Sequence, residues 1–462
     1  MNHTSILDQL NNIIKQYIAL NDEKDALVVD YKDPGELKKI IQFDIAEKGV
    51  SENEFLGLLN QYLNYSVNTG NKQFLNQLYS GFNFPAFVGE VVTALSNTSM
   101  YTYEVAPVAT TIEKEMVQLM NSYCGYSNGD GIFVSGGSNA NLVGLFTARN
   151  QIAPATRFSG YDASLKLTAF VNEQAHYSFE TAANIIGIGA KSVIKVKATY
   201  NGSMCSAALE KAILESKERD ETPFFVGATC GTTMLGAYDP LDSLASICKK
   251  YGIWLHADGS FGGSLILSKD HRGLMNGIEL TDSFAWNPHK LMNIPLICSA
   301  LLVKRKGVLQ QNITDINTDY IFHDIDNIED LGKKSIQCGR RVDAVKLWFA
   351  WKYFGLTGYE ARIDNIIAMA TYAASIIESN EYLELLAERQ SFSVCFRYKA
   401  PAGKNANEFN LAIREKLRKT GKSMVNYGYL GDTLAIRLIT ANGDLTKEDI
   451  DLFFHNLLAC CI

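Results

Sequence analysis

Lys290 closes the run Asn287-Pro288-His289-Lys290, directly after the apolar, strand-like stretch DSFAW at 282–286. A lysine at such a strand end can be desolvated and flanked by cations, which lowers its pKa and makes it a Schiff-base former. Asp258 ends a second strand-like run, IWLHAD, just before Gly259-Ser260-Phe261-Gly262-Gly263. A carboxylate at a buried strand end is costly unless it has a cationic partner. A protonated pyridine nitrogen is such a partner, and the pairing lets the ring act as an electron sink. His256 is close enough in sequence to orient that carboxylate. His176, in NEQAHYSFE after another strand, offers an imidazole that could stack on an aromatic ring. Ser135-Gly136-Gly137-Ser138-Asn139-Ala140-Asn141 follows the run GIFVS and opens a helix. Its glycines would let the backbone approach an anion, and the helix start would present N–H groups to a phosphate. Asn287 and His289 could hold the phosphate and the substrate side of the same molecule. Each segment alone also fits a structural role: a glycine turn, a hydrogen-bonding His, a capping Asp, a solvated Lys. Their agreement in order and context points to one cofactor, pyridoxal 5'-phosphate (PLP).

The elements that must position these residues are legible as short apolar runs alternating with helical stretches. Seven runs read as strands: GIFVS (131–135), LTAFVN (167–172), VIKVK (193–197), FFVGAT (224–229), IWLHAD (253–258), DSFAW (282–286) and CSALLVK (298–304). Apolar almost throughout, they predict strands buried on both faces of a mainly parallel α/β sheet. In such sheets ligands bind outside the carboxyl ends of the strands, where the four segments lie. Residues 1–68 read as an N-terminal helical segment with a turn at Asp33-Pro34-Gly35, and 69–345 as the large α/β domain. Residues 346–462 read as a small α+β domain with strands SFSVCFRY (391–398) and LAIRLIT (434–440). A helix near 406–420 and another opened by a capping box, Thr446 to Asp449, complete it.

Composition narrows the setting. The 462 residues are 47% hydrophobic and 20% charged, with a net charge of -7. That balance is globular and gives no overall basic surface for nucleic acid. The nine cysteines form no CxxC pair, so no zinc or dithiol motif is signalled and no metal is expected. Asp8, Asn11, Asn12 and Lys15 interrupt the N-terminus at helical spacing, which predicts an amphipathic helix and not a signal peptide. No stretch reaches the ~18 apolar residues of a membrane span. The expected location is the cytoplasm.

From about residue 70 onward the chain resembles the group II PLP-dependent amino acid decarboxylases, most closely the glutamate / cysteine sulfinate branch. The resemblance is carried by FLNQLYSG (74–81), NTSMYTYEVAPV (97–108), GDGIFVSGGSNANL, EQAHYS, ATCGTTMLGAYDPL (228–241), WLHADGSFGG, WNPHK and IQCGRRVDAVKLW (336–348). It implies the PLP-dependent transferase fold type I and α-decarboxylation of an L-amino acid to its amine and CO2. It also implies roles. Lys290 would carry the cofactor, Asp258 would pair with the ring nitrogen and His176 would stack on the ring. Gly137, Ser138 and Asn287 would cradle the phosphate, with His289 beside them, and Thr233 would lie near the ring oxygen. Arg437, in LAIRLIT, would bind the substrate α-carboxylate. Tyr320, on a loop closing over the partner subunit's site, would donate the proton after CO2 leaves. The family is dimeric, with the N-terminal helices embracing the partner, so a homodimer with its site at the interface is implied.

The sequence departs from that pattern in two places. The usual His-Val-Asp-Ala-Ala-Trp-Gly-Gly is His-Ala-Asp-Gly-Ser-Phe-Gly-Gly here, and the loop beyond Tyr320 is divergent and acidic. Asn76 and Gln77 match the family's acidic-side-chain pocket, and the bulky Tyr79 beside them resembles the cysteine sulfinate / aspartate enzymes. The expected substrate is an acidic L-amino acid: aspartate, cysteine sulfinate or glutamate. Other readings are an aromatic or 2,4-diaminobutyrate substrate, an aldehyde synthase or transaminase on the same fold, or an inactive scaffold. The retained Tyr320 argues against oxidative chemistry, and the intact Lys290, Asp258 and His176 against a scaffold.

Overall fold

The structure, a computed structural model, describes residues 3–313, 321–322 and 330–460. The chain divides into two compact units. One comprises the described residues of 83–365 together with 388–391, and the other those up to 82, 366–387 and those from 392 onward.

The first strand, β1 (Phe74–Leu75), belongs to the smaller sheet taken up below. The larger unit is built on seven strands: β2 (Asp130–Val134), β3 (Leu167–Asn172), β4 (Val193–Val196), β5 (Thr222–Thr229), β6 (Trp254–Gly259), β7 (Ser283–Trp286) and β8 (Ser299–Val303). Their order is β2-β8-β7-β6-β5-β3-β4. Only β8 runs antiparallel, to both β2 and β7, so the other six point the same way. Strands β2, β3, β7 and β8 are buried along their whole length. That is why their sequences are apolar without alternation: helices cover both faces. All seven expected strands are present, in the mainly parallel α/β architecture that the apolar runs predict. Packing is close enough to exclude side chains at particular positions. A Cβ on Gly227 of β5 would come within 2.9 Å of the Phe179 ring. A Cβ on Gly259 would run into Phe284, so Gly259 and the bulky Phe284 require each other.

The smaller unit has a five-stranded sheet, β1-β11-β12-β10-β9, with β9 (Leu383–Leu385), β10 (Ser393–Tyr398), β11 (Met424–Leu430) and β12 (Thr433–Ile439). Its core includes Ile377, Phe396, Ile413, Ile436 and Phe453. The helices Ala406–Thr420 and Lys447–Leu458 fall where expected, and Thr446 and Asp449 form the capping box.

Two local readings change. Asp33-Pro34-Gly35 does not make a turn; it opens the helix Pro34–Ile40. The Asp33 carboxylate accepts from the N–H groups of Gly35 and Glu36 at 2.8 and 2.9 Å, and Pro34 needs no donor in the first turn. The N-terminal segment is also not helical throughout. Val28 donates to the Gly421 carbonyl and accepts from Asn68 N–H, both at 2.7 Å, so the chain there is extended. Farther along, residues Asp343–Ser379 form two helices meeting at Gly355, whose φ is 69° and ψ -175°.

The strand that leads to the Ser135–Gly137 turn is anchored by a buried ion pair. Arg340 Nη1 donates to Glu113 Oε1 at 2.8 Å and to the Phe133 carbonyl, while Phe133 N–H donates to the same carboxylate at 3.0 Å. Both side chains are almost fully buried. Glu113→Ala would leave a buried, uncompensated guanidinium, and a loss of about 3–5 kcal/mol is expected. Thermal or urea unfolding of the variant should show a markedly lower midpoint, and an unchanged midpoint would show that the pair does not anchor β2.

Candidate functional site

Six strands share one direction, so the segments after β2, β3, β5, β6 and β7 emerge at one edge of the sheet. These are the segments holding Gly137, His176, Thr233, Ser260 and Lys290. After β2 the chain turns through Gly136, whose φ of 108° suits glycine, and enters the helix Gly137–Ile152. A helix of this length presents unsatisfied N–H groups at its start. Gly137 is closely faced. A Cβ there would collide with Ser260 Oγ and lie 2.7 Å from Asn287 Nδ2. The ends of β2, β6 and β7 therefore converge on one small space. Ser260 Oγ and Asn287 Oδ1 are both buried there, and neither has a hydrogen-bond partner among the described residues. A tight backbone approach, a helix start and two possible donors, the unpartnered Ser260 hydroxyl and the Asn287 Nδ2, fit a small anionic group such as a phosphate. Ser138 lies exposed beside them.

Asp258 sits at the end of β6 and is 5% exposed. Its Oδ1 accepts from Ser260 N–H at 3.0 Å and its Oδ2 from Asn141 Nδ2 at 2.8 Å. Both donors are neutral, so the carboxylate is held in place without being neutralised. That is the arrangement a cationic ring nitrogen would complete. The turn after β5 is tied to it, since Cys230 N–H donates to the Asp258 carbonyl at 2.8 Å. Thr233 lies in that turn, between Gly231 and Gly236.

His176 follows β3 and its Nδ1 accepts from Ser178 N–H at 3.3 Å. Burial lowers its pKa; Asp258 opposes the shift and Lys290 reinforces it, so the imidazole senses both groups. A neutral, planar ring suits stacking on an aromatic cofactor. Lys290 ends a tight turn in which its N–H donates to the Asn287 carbonyl at 3.0 Å. Its Nζ lies 5.8 Å from the centre of the Phe261 ring. His289 is buried, with Nδ1 2.7 Å from the Cys298 carbonyl and 3.2 Å from the Cys298 N–H. Burial pushes the His289 pKa down to about 4.

The smaller unit holds the remaining candidates. Arg437 is on β12, cross-strand from Asn426 of β11 and Cys395 of β10. It is 4% exposed, and burial lowers its pKa. Asn76 and Gln77 follow β1, which pairs in parallel with β11 up to Leu75 and Val425. That places Asn76 one residue beyond a pair that ends next to Asn426. The Asn76 Oδ1 is buried without a partner. Tyr79 packs on Phe74 at 6.2 Å between ring centres, against Val28, Val29 and Met424. Tyr320 lies outside the described residues.

One set of side chains around Asp258 has little signal in the sequence. Asn141 Nδ2 donates to Asp258 and to Ser178 Oγ, so its Oδ1 faces His256 Nε2 at 3.0 Å. That oxygen only accepts, so His256 Nε2 donates. Nδ1 must then accept from Ser283 Oγ at 2.8 Å, and Ser283 Oγ in turn accepts from Trp254 Nε1 at 2.8 Å. The direction of every bond from Trp254 to Asp258 is thereby set. The available signal was a polar His256 within an apolar strand and Asn141 within an apolar helix.

Comparison with known proteins agrees with this geometry. Residues 34–399 match the pyridoxal-dependent decarboxylase conserved domain. The chain belongs to the pyridoxal-dependent decarboxylase family. It is a PLP-dependent amino acid decarboxylase, as the sequence resemblance implied. It is 36% identical to the cysteine sulfinic acid decarboxylase of Mus musculus, covering 97% of this chain and 94% of that one. It is 35% identical to the acidic amino acid decarboxylase GADL1 of Bos taurus, covering 97% and 89%. The crystal structure of mouse CSAD in apo form superimposes with a TM-score of 0.95 at 36% identity, over 99% of this chain and 98% of that one.

The chain of bonds behind Asp258 has a measurable signature. Burial pushes the His256 pKa from its usual 6.5 down to about 4, with Asp258 opposing. The unfolded chain therefore binds a proton below pH 6.5 that the folded chain refuses until about pH 4. Stability should fall as pH drops through that window. His256→Gln should reduce the slope of unfolding midpoint against pH between those values, and an unaltered slope would mean that His256 is not neutral in the fold.

Proposed function

We propose that this decarboxylase acts on an acidic L-amino acid, with aspartate and cysteine sulfinate at least as good as glutamate. The observation that carries the site assignment is the buried Asp258, held by two neutral donors at the same sheet edge as the Lys290 turn. When bound, PLP supplies a carbonyl that condenses with amines and a protonated ring that takes up the electron pair freed as CO2 departs.

In this reading the chain supplies anchoring, orientation and one proton. Lys290 holds the cofactor through its Nζ and yields it to the substrate amine. Asp258 keeps the ring nitrogen protonated. His176 covers one face of the ring, and Thr233 lies near the ring oxygen. Gly137, Ser138 and Asn287 hold the phosphate, with His289 beside them. Arg437 would take the substrate α-carboxylate and so orient the group that leaves as CO2. Tyr320 delivers a proton from its hydroxyl to the substrate Cα after the carboxyl has gone. Asn76 and Gln77 receive the acidic side chain, and Tyr79 shortens the space available to it. Support for the acidic class comes from the two relatives, whose substrates are named as acidic. We further propose a cytoplasmic homodimer. Its N-terminal helical segment (1–68) would embrace the partner, with a catalytic domain at 69–345 and a small domain at 346–462.

A CO2-release panel over aspartate, cysteine sulfinate, glutamate, DOPA and 2,4-diaminobutyrate tests the substrate. An acidic amino acid should exceed the aromatic and cationic ones by at least about tenfold in kcat/KM, a difference of about 1.4 kcal/mol. Preference for DOPA or diaminobutyrate would sink the acidic reading. Tyr320→Phe should shift the product from amine toward aldehyde, measured by quantifying both. An unchanged amine yield would remove Tyr320 as the donor.

A further inference from the structure

Ser260 occupies an unusual position between the two ends of the site. Its backbone N–H donates to Asp258 Oδ1 at 3.0 Å. Its side chain lies in the corner formed by Gly137 and Asn287, with Oγ against the place where a Cβ on Gly137 would be. There Oγ is buried without a hydrogen-bond partner, as is the neighbouring Asn287 Oδ1. Asn287 itself is 2% exposed. A buried hydroxyl left unpaired is costly, so its partner belongs to whatever fills that corner. The corner lies at the start of the helix Gly137–Ile152, where anions are favoured, and its acceptor must be small enough to sit against a residue without a Cβ.

We propose that Ser260 Oγ–H donates to a non-bridging oxygen of the PLP phosphate, making Ser260 a cofactor-binding residue. One residue then serves both ends of the ring: its main chain fixes the carboxylate for the ring nitrogen, and its side chain holds the phosphate. The inference rests on the proposed phosphate cradle at Gly137, Ser138 and Asn287.

The test compares wild type, Ser260→Ala and Asn287→Ala, each stripped of cofactor and titrated with PLP and with pyridoxal, which lacks the phosphate. Bound cofactor is read by its visible absorbance, without any turnover. The Ser260→Ala change removes one unpartnered oxygen and leaves the backbone bond to Asp258 intact. It should weaken PLP binding about tenfold, the loss of one charge-assisted hydrogen bond, and leave pyridoxal binding within about twofold. Equal weakening of PLP and pyridoxal would overturn the proposal, because the hydroxyl would then act on the ring or the fold. Unchanged PLP affinity in Ser260→Ala with weakened binding in Asn287→Ala would also overturn it while leaving the cradle standing. Unchanged affinity in both variants would remove the cradle and the Ser260 contact together.

Discussion

A negative charge buried at the end of a central strand governs the organisation of this protein. Asp258 is held by the Ser260 N–H and the Asn141 amide, both neutral. In the proposed reading its counter-ion is the protonated ring nitrogen of PLP, and the carboxylate that would hold that proton is fixed on the strand before any substrate arrives. The donors must hold the carboxylate without neutralising it, which is what a backbone amide and an asparagine do.

The scaffold around Asp258 serves this constraint. Asn141 has one correct orientation because His256 donates to its oxygen, and His256 has one tautomer because Ser283 and Trp254 occupy its other side. Burial keeps His256 uncharged, so the chain of bonds ends on a fixed dipole and not on a second cation competing with the cofactor. The same strand end turns at Ser260 toward Gly137 and Asn287, so Asp258 and the proposed phosphate corner share one loop.

Much of this was legible because parallel sheets impose a strong pattern. Strands buried on both faces must be apolar throughout, and all seven were recognisable as such. Polar residues just after those runs then stood out, as Lys290, Asp258, His176 and the Ser135–Asn141 segment did. The smaller unit was harder to read. Its strand MVNYGYL is buried only at its start and contains Gly428, and β1 has two residues, so neither carries a long pattern. Asp33-Pro34-Gly35 has the composition of a turn, and only the Glu36 side chain reaching back to Asp33 N–H makes it a helix cap.

Residue types and local order by themselves determined the α/β class, and the resemblance of the quoted motifs carried the family and its cofactor. The class follows from short-range rules: apolar runs bounded by glycine turns and polar residues at strand ends. The tertiary structure decided which polar groups meet. Asn141, His256 and Ser283 belong to a helix and two strands far apart in the chain, and no local pattern links them. Only sheet register and helix packing bring them into one line of hydrogen bonds. Ser260 and Gly137 likewise became neighbours through folding, because the absence of a Cβ on one leaves the space that the hydroxyl of the other enters.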